Sequence, residues 1–215
     1  VWIVRADGGA LRRVTSHPKH DDEPSFSHDG HWIYFTSNRT GRSEIYRVPF
    51  AGGKEEQVTT GGGSLAQESV DGEKIYYALT SGAPTSALME APVSGGAGRR
   101  LNLTITARAY HVTADGIYFL VWPGWGAFMY GSDWLAHVPQ LPRYHPPNDG
   151  APPPASPRPP AIHFYDFASR TTREVQSLPN RSLGRGLSVS ADRQTFLYSV
   201  DEGTGWDLML VENFQ

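Results

Sequence analysis

The residues best equipped for chemistry lie close together, in His17-Pro18-Lys19-His20-Asp21-Asp22-Glu23. Imidazole nitrogens and carboxylate oxygens are the usual donors to zinc and related divalent cations, so His17, His20 and Asp21 are candidate metal ligands. Neither a helical nor a strand spacing aims them at one point. The run equally suits a solvated connection between two strands, and on that reading no metal or other cofactor is expected. Other catalytic patterns are missing. Gly62-Gly63-Ser64-Leu65-Ala66 approaches a nucleophile elbow but lacks the closing glycine and a following helix. Gly61-Gly62-Gly63 has no Lys-Ser/Thr after it and is no phosphate loop. The chain has no cysteine, which removes thiolate metal sites, disulfides and cysteine nucleophiles together.

The elements that would position these groups repeat. Four segments place a short run of apolar or small residues before an aspartate turn and an aromatic-rich strand. They are Ser25 to Gly30 before Trp32-Ile33-Tyr34-Phe35, Glu68 to Gly72 before Ile75-Tyr76-Tyr77, His111 to Gly116 before Ile117-Tyr118-Phe119, and Leu187 to Arg193 before Thr195 to Tyr198. The turn aspartates, Asp29, Asp71, Asp115 and Asp192, fall 42, 44 and 77 residues apart. A spacing of about 40–45 residues is that of a four-stranded propeller blade, and the last gap holds one period plus an insertion. Asp29-Gly30, Asp71-Gly72 and Asp115-Gly116 predict hairpins in which both turn residues take positive φ. Their regular period gives these aspartates a structural role, accepting backbone N–H bonds in their own turns. The aromatic residues that follow pack between blades.

No stretch keeps a 3.6-residue apolar period for three turns, so the fold class is all-β. Strands count as two at the start, four in each of three units and three at the end. The expected organisation is a half blade over 1–23 and blades at about 24–63, 64–107, 108–180 and 181–215, the last without an outer strand. Val1 falls inside a strand, so about four and a half blades are expected, the C-terminal part of a six- to eight-bladed propeller. A closed five-bladed form is the alternative.

Connections into the inner strands open at one end of a propeller channel. That predicts Asp22, Glu23, Gln67, Glu68, Arg108, Tyr110 and Arg185 around one mouth, suited to a peptide or small polar ligand or to a hydrated funnel. The insertion at 121–160 combines Trp122, Trp125, Phe128, Tyr130 and Trp134 with a proline-rich run. Ten of the 17 prolines lie between Pro139 and Pro160. Proline runs favour extended polyproline II and cannot pair in a sheet, which predicts a surface loop. The aromatic half needs cover, on the propeller or on a partner.

Pro24-Ser25-Phe26-Ser27-His28-Asp29-Gly30-His31-Trp32-Ile33-Tyr34-Phe35-Thr36-Ser37-Asn38-Arg39, followed by Glu44-Ile45-Tyr46-Arg47-Val48, resembles the TolB-type (WD-like) propeller repeat. His28 stands where that pattern has proline, and Phe26 where it has tryptophan. The resemblance covers nearly the whole chain outside the insertion and weakens over 64–104. Leu187 to Phe214 is similar to the closing blade of propellers at the C-termini of bacterial winged-helix transcriptional regulators. The resemblance implies a non-enzymatic binding or sensory module of a larger bacterial protein, of the cell envelope or the cytoplasm, with a protein, peptide or small polar partner. Two rival roles are the gating propeller of a prolyl-oligopeptidase-type peptidase and a metal-dependent propeller lyase using the His17/His20 loop.

Nineteen Lys and Arg against 22 Asp and Glu give a net charge of −3, with no basic block. Nucleic-acid binding by this segment is not expected. No window approaches the roughly 18 apolar residues of a membrane helix.

Overall fold

The computed structural model describes residues 1–80, 85–106, 108–122, 159–179, 182–201 and 206–212, with backbone alone at 182–185, 201 and 206–212. Within them, 17 strands form five antiparallel sheets. The first pairs β1 (Trp2–Ile3) with β2 (Arg12–Arg13). The second holds β3 (Asp21–Phe26), β4 (Trp32–Ser37), β5 (Glu44–Pro49) and β6 (Glu56–Gln57) in sequence order. The third holds β7 (Ser64–Glu68), β8 (Lys74–Ala78), β9 (Thr85–Pro92) and β10 (Arg99–Thr106). The fourth holds β11 (Tyr110–Val112), β12 (Gly116–Val121), β13 (Ala161–Asp166) and β14 (Thr172–Ser177). The fifth has β15 (Ser182–Val189), β16 (Thr195–Asp201) and β17 (Trp206–Glu212).

The chain divides into two compact units, residues 1–104 with 112–114, and residues 105–111 with 115–215. In the first, alternation along β4 buries both faces of one sheet, as a period of two requires. Ile33 and Phe35 join Tyr46 and Val48 in a cluster that Val1, Ile3 and Val14 of the first hairpin cover. Tyr34 points the other way, into a cluster with Ile45, Val58, Ala66, Ile75 and Tyr77 that joins the second sheet to the third. In the second unit Tyr118, Phe164, Leu187, Phe196 and Tyr198 form one core. There the Tyr118 ring lies 4.6 Å from Phe164 and 5.2 Å from Phe196. The expected inter-blade role of the aromatic strands is thus what these rings do.

The aspartate turns differ from the expected two-residue form. Gly30, Gly72 and Arg193 N–H groups donate to the carbonyls of Ser27, Ser69 and Ser190, at 3.0, 2.9 and 2.9 Å. Only this fourth turn residue takes positive φ (73°, 72° and 59°), and the aspartate before it does not. Each aspartate instead receives a serine hydroxyl two residues earlier and a backbone N–H two residues later. The third repeat departs further. Gly116 already lies in β12 opposite Asp166, and a Cβ there would run into the Tyr165 carbonyl and the Phe164 ring. Close packing, not turn geometry, requires that glycine. Its neighbour Asp115 pairs with Arg193.

A second regularity has no counterpart in the sequence pattern. Register shifts interrupt the inner strand between Asp22 and Ser25, Ser64 and Gln67, and Leu183 and Leu187. Glu23, Leu65 and Gly186 at these bulges, and Arg108 just before β11, have φ of 52°, 56°, 94° and 57°. A bulge places one extra residue in one strand and re-aims the side chains beside it.

Candidate functional site

The residues expected around one mouth are divided between the two units, Asp22, Glu23, Gln67 and Glu68 in the first and Arg108, Tyr110 and Arg185 in the second. The first-unit set sits on β3 and β7, and β3 already begins at Asp21, so Asp21 to Glu23 are strand rather than connection. Asp22 is exposed. Glu23 is spent on a tie between sheets: its Oε2 accepts from Thr36 Oγ1 at 2.8 Å and from Leu65 N at 3.0 Å. The true counterpart of Glu23 in the next sheet is the bulge residue Leu65, so Gln67 and Glu68 lie two and three positions beyond it. Gln67 Oε1 accepts from Val112 N at 3.0 Å. In the second unit Arg108 is half-buried. Tyr110 is only 1% exposed, and burial pushes its phenol up and out of ordinary titration. A side chain so enclosed belongs to the packing, not to an open mouth. Arg185 is described only as part of the β15 backbone.

The histidine-acid run is dispersed as well. His17 Nδ1 accepts from Lys19 N at 3.2 Å, and His20 N donates to Asn38 Oδ1 at 3.2 Å. Asp21 is bonded to Arg39 at 2.9 Å with its side chain 5% exposed. Burial raises its carboxyl, but bonds from Ser37, Arg39 and Thr15 outweigh that and hold it below the usual range. Among the described residues no three His, Asp or Glu side chains gather closely enough to hold a metal ion. Of the aromatic insertion, Trp122 is 8% exposed within the second unit's core, and its backbone N–H donates to Thr106 Oγ1 at 3.0 Å. It packs against its own fold instead of waiting for a partner. Trp125, Phe128, Tyr130 and Trp134 lie outside the described residues.

What the first unit does assemble is a groove of about 380 Å³ between the second and third sheets, at the end of the strands that carries the aspartate turns. From the second sheet come His28, Asp29, Trp32, Tyr34 and Arg47; from the third come Glu68, Val70, Asp71, Gly72 and Val93. The strands dictate who faces it. Trp32 and Tyr34 alternate with core residues Ile33 and Phe35 along β4, and Trp32 in turn packs against the cluster around Tyr34. Arg47 stands on the next strand, paired with Tyr34 in register. Its guanidinium carbon lies 4.2 Å over the Trp32 ring. The same group bonds Glu56 Oε2 at 2.8 Å and donates to the Val93 carbonyl at 2.9 Å.

Glu68 organises the other wall. Its Oε2 accepts the Tyr34 hydroxyl at 2.6 Å and its Oε1 accepts His28 N at 3.1 Å, both across the sheet boundary. Burial and the bond to Glu68 push the Tyr34 phenol up, so it stays protonated and donating. Asp29 and Asp71 are held below the ordinary carboxylate range by Ser27 and His31 N–H, and by Ser69 and Glu73 N–H, respectively. The groove is therefore preformed, mixed in polarity and acidic. Of its members only Glu68 stands among the residues expected to bind. The sequence pattern expects Asp29 and Asp71 in turns, and Trp32 and Tyr34 in packing. Arg47 has no sequence signal, since the matching position of the next sheet, Glu90, carries the opposite charge and pairs with Arg99.

Sheets of four antiparallel strands in sequence order, packed face to face through aromatic rows, define a β-propeller architecture. Residues 1–119 match the TolB beta propeller domain (PD40) family, and the chain belongs to that family. A segment of 79 residues is 34% identical to an uncharacterized protein of Agrobacterium fabrum, covering 36% of this chain and 27% of that one. Over 54 residues it is 46% identical to the Tol-Pal system protein TolB of Bordetella pertussis, covering 25% of this chain and 12% of that protein. The crystal structure of TolB from Acinetobacter baumannii superposes with a TM-score of 0.69 at 16% identity, over 99% of this chain and 46% of TolB. The chain thus spans less than half the length of these relatives.

Proposed function

We propose that this chain is a non-catalytic binding module, a TolB-like propeller segment that docks a protein, a peptide or a small polar ligand for a larger bacterial protein, such as a winged-helix regulator. One observation carries the reading: the groove between the second and third sheets is open, concave and lined by fixed polar and aromatic groups. Its carboxylates are occupied by structural bonds, Asp29 and Asp71 in their turns and Glu68 with Tyr34 and His28. That suits recognition better than proton transfer. The lyase reading draws no support from His17, His20 and Asp21, whose polar groups face different partners.

Turnover assays on proline-containing peptides and on acidic oligosaccharides, with and without added divalent cations, test the non-catalytic reading. No turnover is expected. Turnover that Glu68→Gln or Tyr34→Phe abolishes would overturn it. The reading frame upstream of Val1 tests the host: a winged-helix domain there supports a regulator, and a secretory signal supports an envelope protein instead.

A further inference from the structure

We propose that the groove between the second and third sheets receives a basic side chain, lysine or arginine, from an extended segment of a protein partner. The inference deepens the binding-module reading and rests on it. Charge selects the occupant. Three carboxylates line the groove, Asp29, Glu68 and Asp71, against one guanidinium, Arg47, and one imidazole, His28. That guanidinium is already engaged by Glu56, by the Val93 carbonyl and by the face of Trp32. Its charge is therefore spent inside the protein, and the groove presents net negative charge to a newcomer. An anion is disfavoured there.

Shape narrows the choice between cations. A bare metal ion needs several oxygens converging on one point, and the described residues gather no such group. The groove instead adds an apolar shelf to its acids: Val70, 39% exposed, with Val93 and the Trp32 ring beside it. Lysine and arginine have the matching form, a hydrocarbon stem that lies on apolar surface and a charged head that reaches past it. About 380 Å³ accommodates such a side chain with neighbouring backbone. One acid comes from each sheet's turn, so a segment laid along the sheet boundary meets both. The Oδ1 atoms of Asp29 and Asp71 serve their own turns, and their exposed carboxylates still present charge to the groove.

The test is a nuclear magnetic resonance titration of the labelled chain, following the Trp32 indole N–H and the amides of residues 28–32 and 68–72. The probes are three short peptides of equal length in which lysine and arginine, glutamine, or glutamate alternate with serine. The basic peptide is expected to bind, with shifts centred on the groove, and to weaken as salt rises from about 50 to about 500 mM. Asp29→Asn with Asp71→Asn keeps the turn acceptors, since asparagine fits the same turns, and leaves the remaining spectrum in place. This double variant weakens binding by about three- to tenfold, the scale of two exposed ion pairs. Glu68→Gln weakens it independently. Equal or tighter groove binding by the glutamine or glutamate peptide would overturn the inference while leaving the module a binder. Basic-peptide shifts that fall elsewhere, or no groove shift with any probe, would overturn it too. Groove-dependent turnover of a probe would instead bring down the non-catalytic reading itself.

Discussion

Arg39 is the centre of a closed ionic network, and its removal has a calculable consequence. The guanidinium bonds Asp21 at 2.9 Å and also bonds Glu55, with its carbon 4.3 Å over the Tyr46 ring and 5.5 Å over Phe35. The side chains of Arg39, Asp21 and Glu55 are 12%, 5% and 17% exposed. Arg39→Ala leaves two carboxylates in this enclosed site without their cation, a change that costs about 3–5 kcal/mol for a buried pair. With a urea dependence near 3 kcal/mol per molar, the midpoint falls by about 1–2 M. Arg39→Lys keeps the charge but cannot fork to both acids or stack as a plane. It costs about 1.5–3 kcal/mol, the scale of one charged hydrogen bond.

The pH dependence gives a second, independent reading of the same site. In the native protein Asp21 is held below its unfolded value. Its contribution is therefore complete above the unfolded value of about 4 and is lost as pH falls below it, through the lower value Asp21 has in the fold. Without Arg39 the same desolvated carboxyl moves up, so the variant grows weaker relative to the native protein as pH rises from about 4 to 7. Asp21→Asn in the Arg39→Ala background recovers at least about 1 kcal/mol at neutral pH. Urea unfolding followed by circular dichroism at both pH values measures all three. A loss below about 1 kcal/mol at pH 7, or a loss identical at the two pH values, would refute the reasoning.

Gly63→Ala places a Cβ 3.0 Å from Tyr77 Cδ2 and 3.1 Å from both Ile45 Cγ1 and Thr59 Oγ1. Overpacking there lowers stability by about 1–3 kcal/mol, whereas Gly61→Ala meets nothing within 4 Å and leaves the denaturation midpoint in place. Burial lowers the His111 and His163 imidazoles. Unfolding then takes up protons as pH falls below about 6.5, so thermal midpoints drop between about pH 7 and pH 5, and His163→Phe, beside the Phe119 ring, flattens that slope.

The sheets were legible because their punctuation is chemical. Ser27-His28-Asp29, Ser69-Val70-Asp71 and Ser190-Ala191-Asp192 repeat the residues that make the turn's own hydrogen bonds. The inner-strand bulge was not legible, because Glu23, Leu65, Arg108 and Gly186 share a backbone angle and no side-chain type. With the bulge unread, Gln67 and Glu68 stand in the expectation where Ser64 and Leu65, three residues earlier, are the counterparts of Asp22 and Glu23. Tyr110 departs from its repeat: seven residues separate Arg108 from Asp115 where six separate Glu23 from Asp29 and Leu65 from Asp71, and the Tyr110 ring is buried. The groove was not legible because Asp29 and Asp71 also close turns, and a residue type suited to one task gives no sign of a second.

Val121 is paired directly with Ala161 across neighbouring strands. The chain between them is thus joined to the sheet at one rung of a ladder. For a loop closed at such a point, doubling its length costs only about 0.6 kcal/mol of chain entropy. The sheet thus offers evolution a socket, where one sequence can be exchanged for another while β12 and β13 remain zipped at its base.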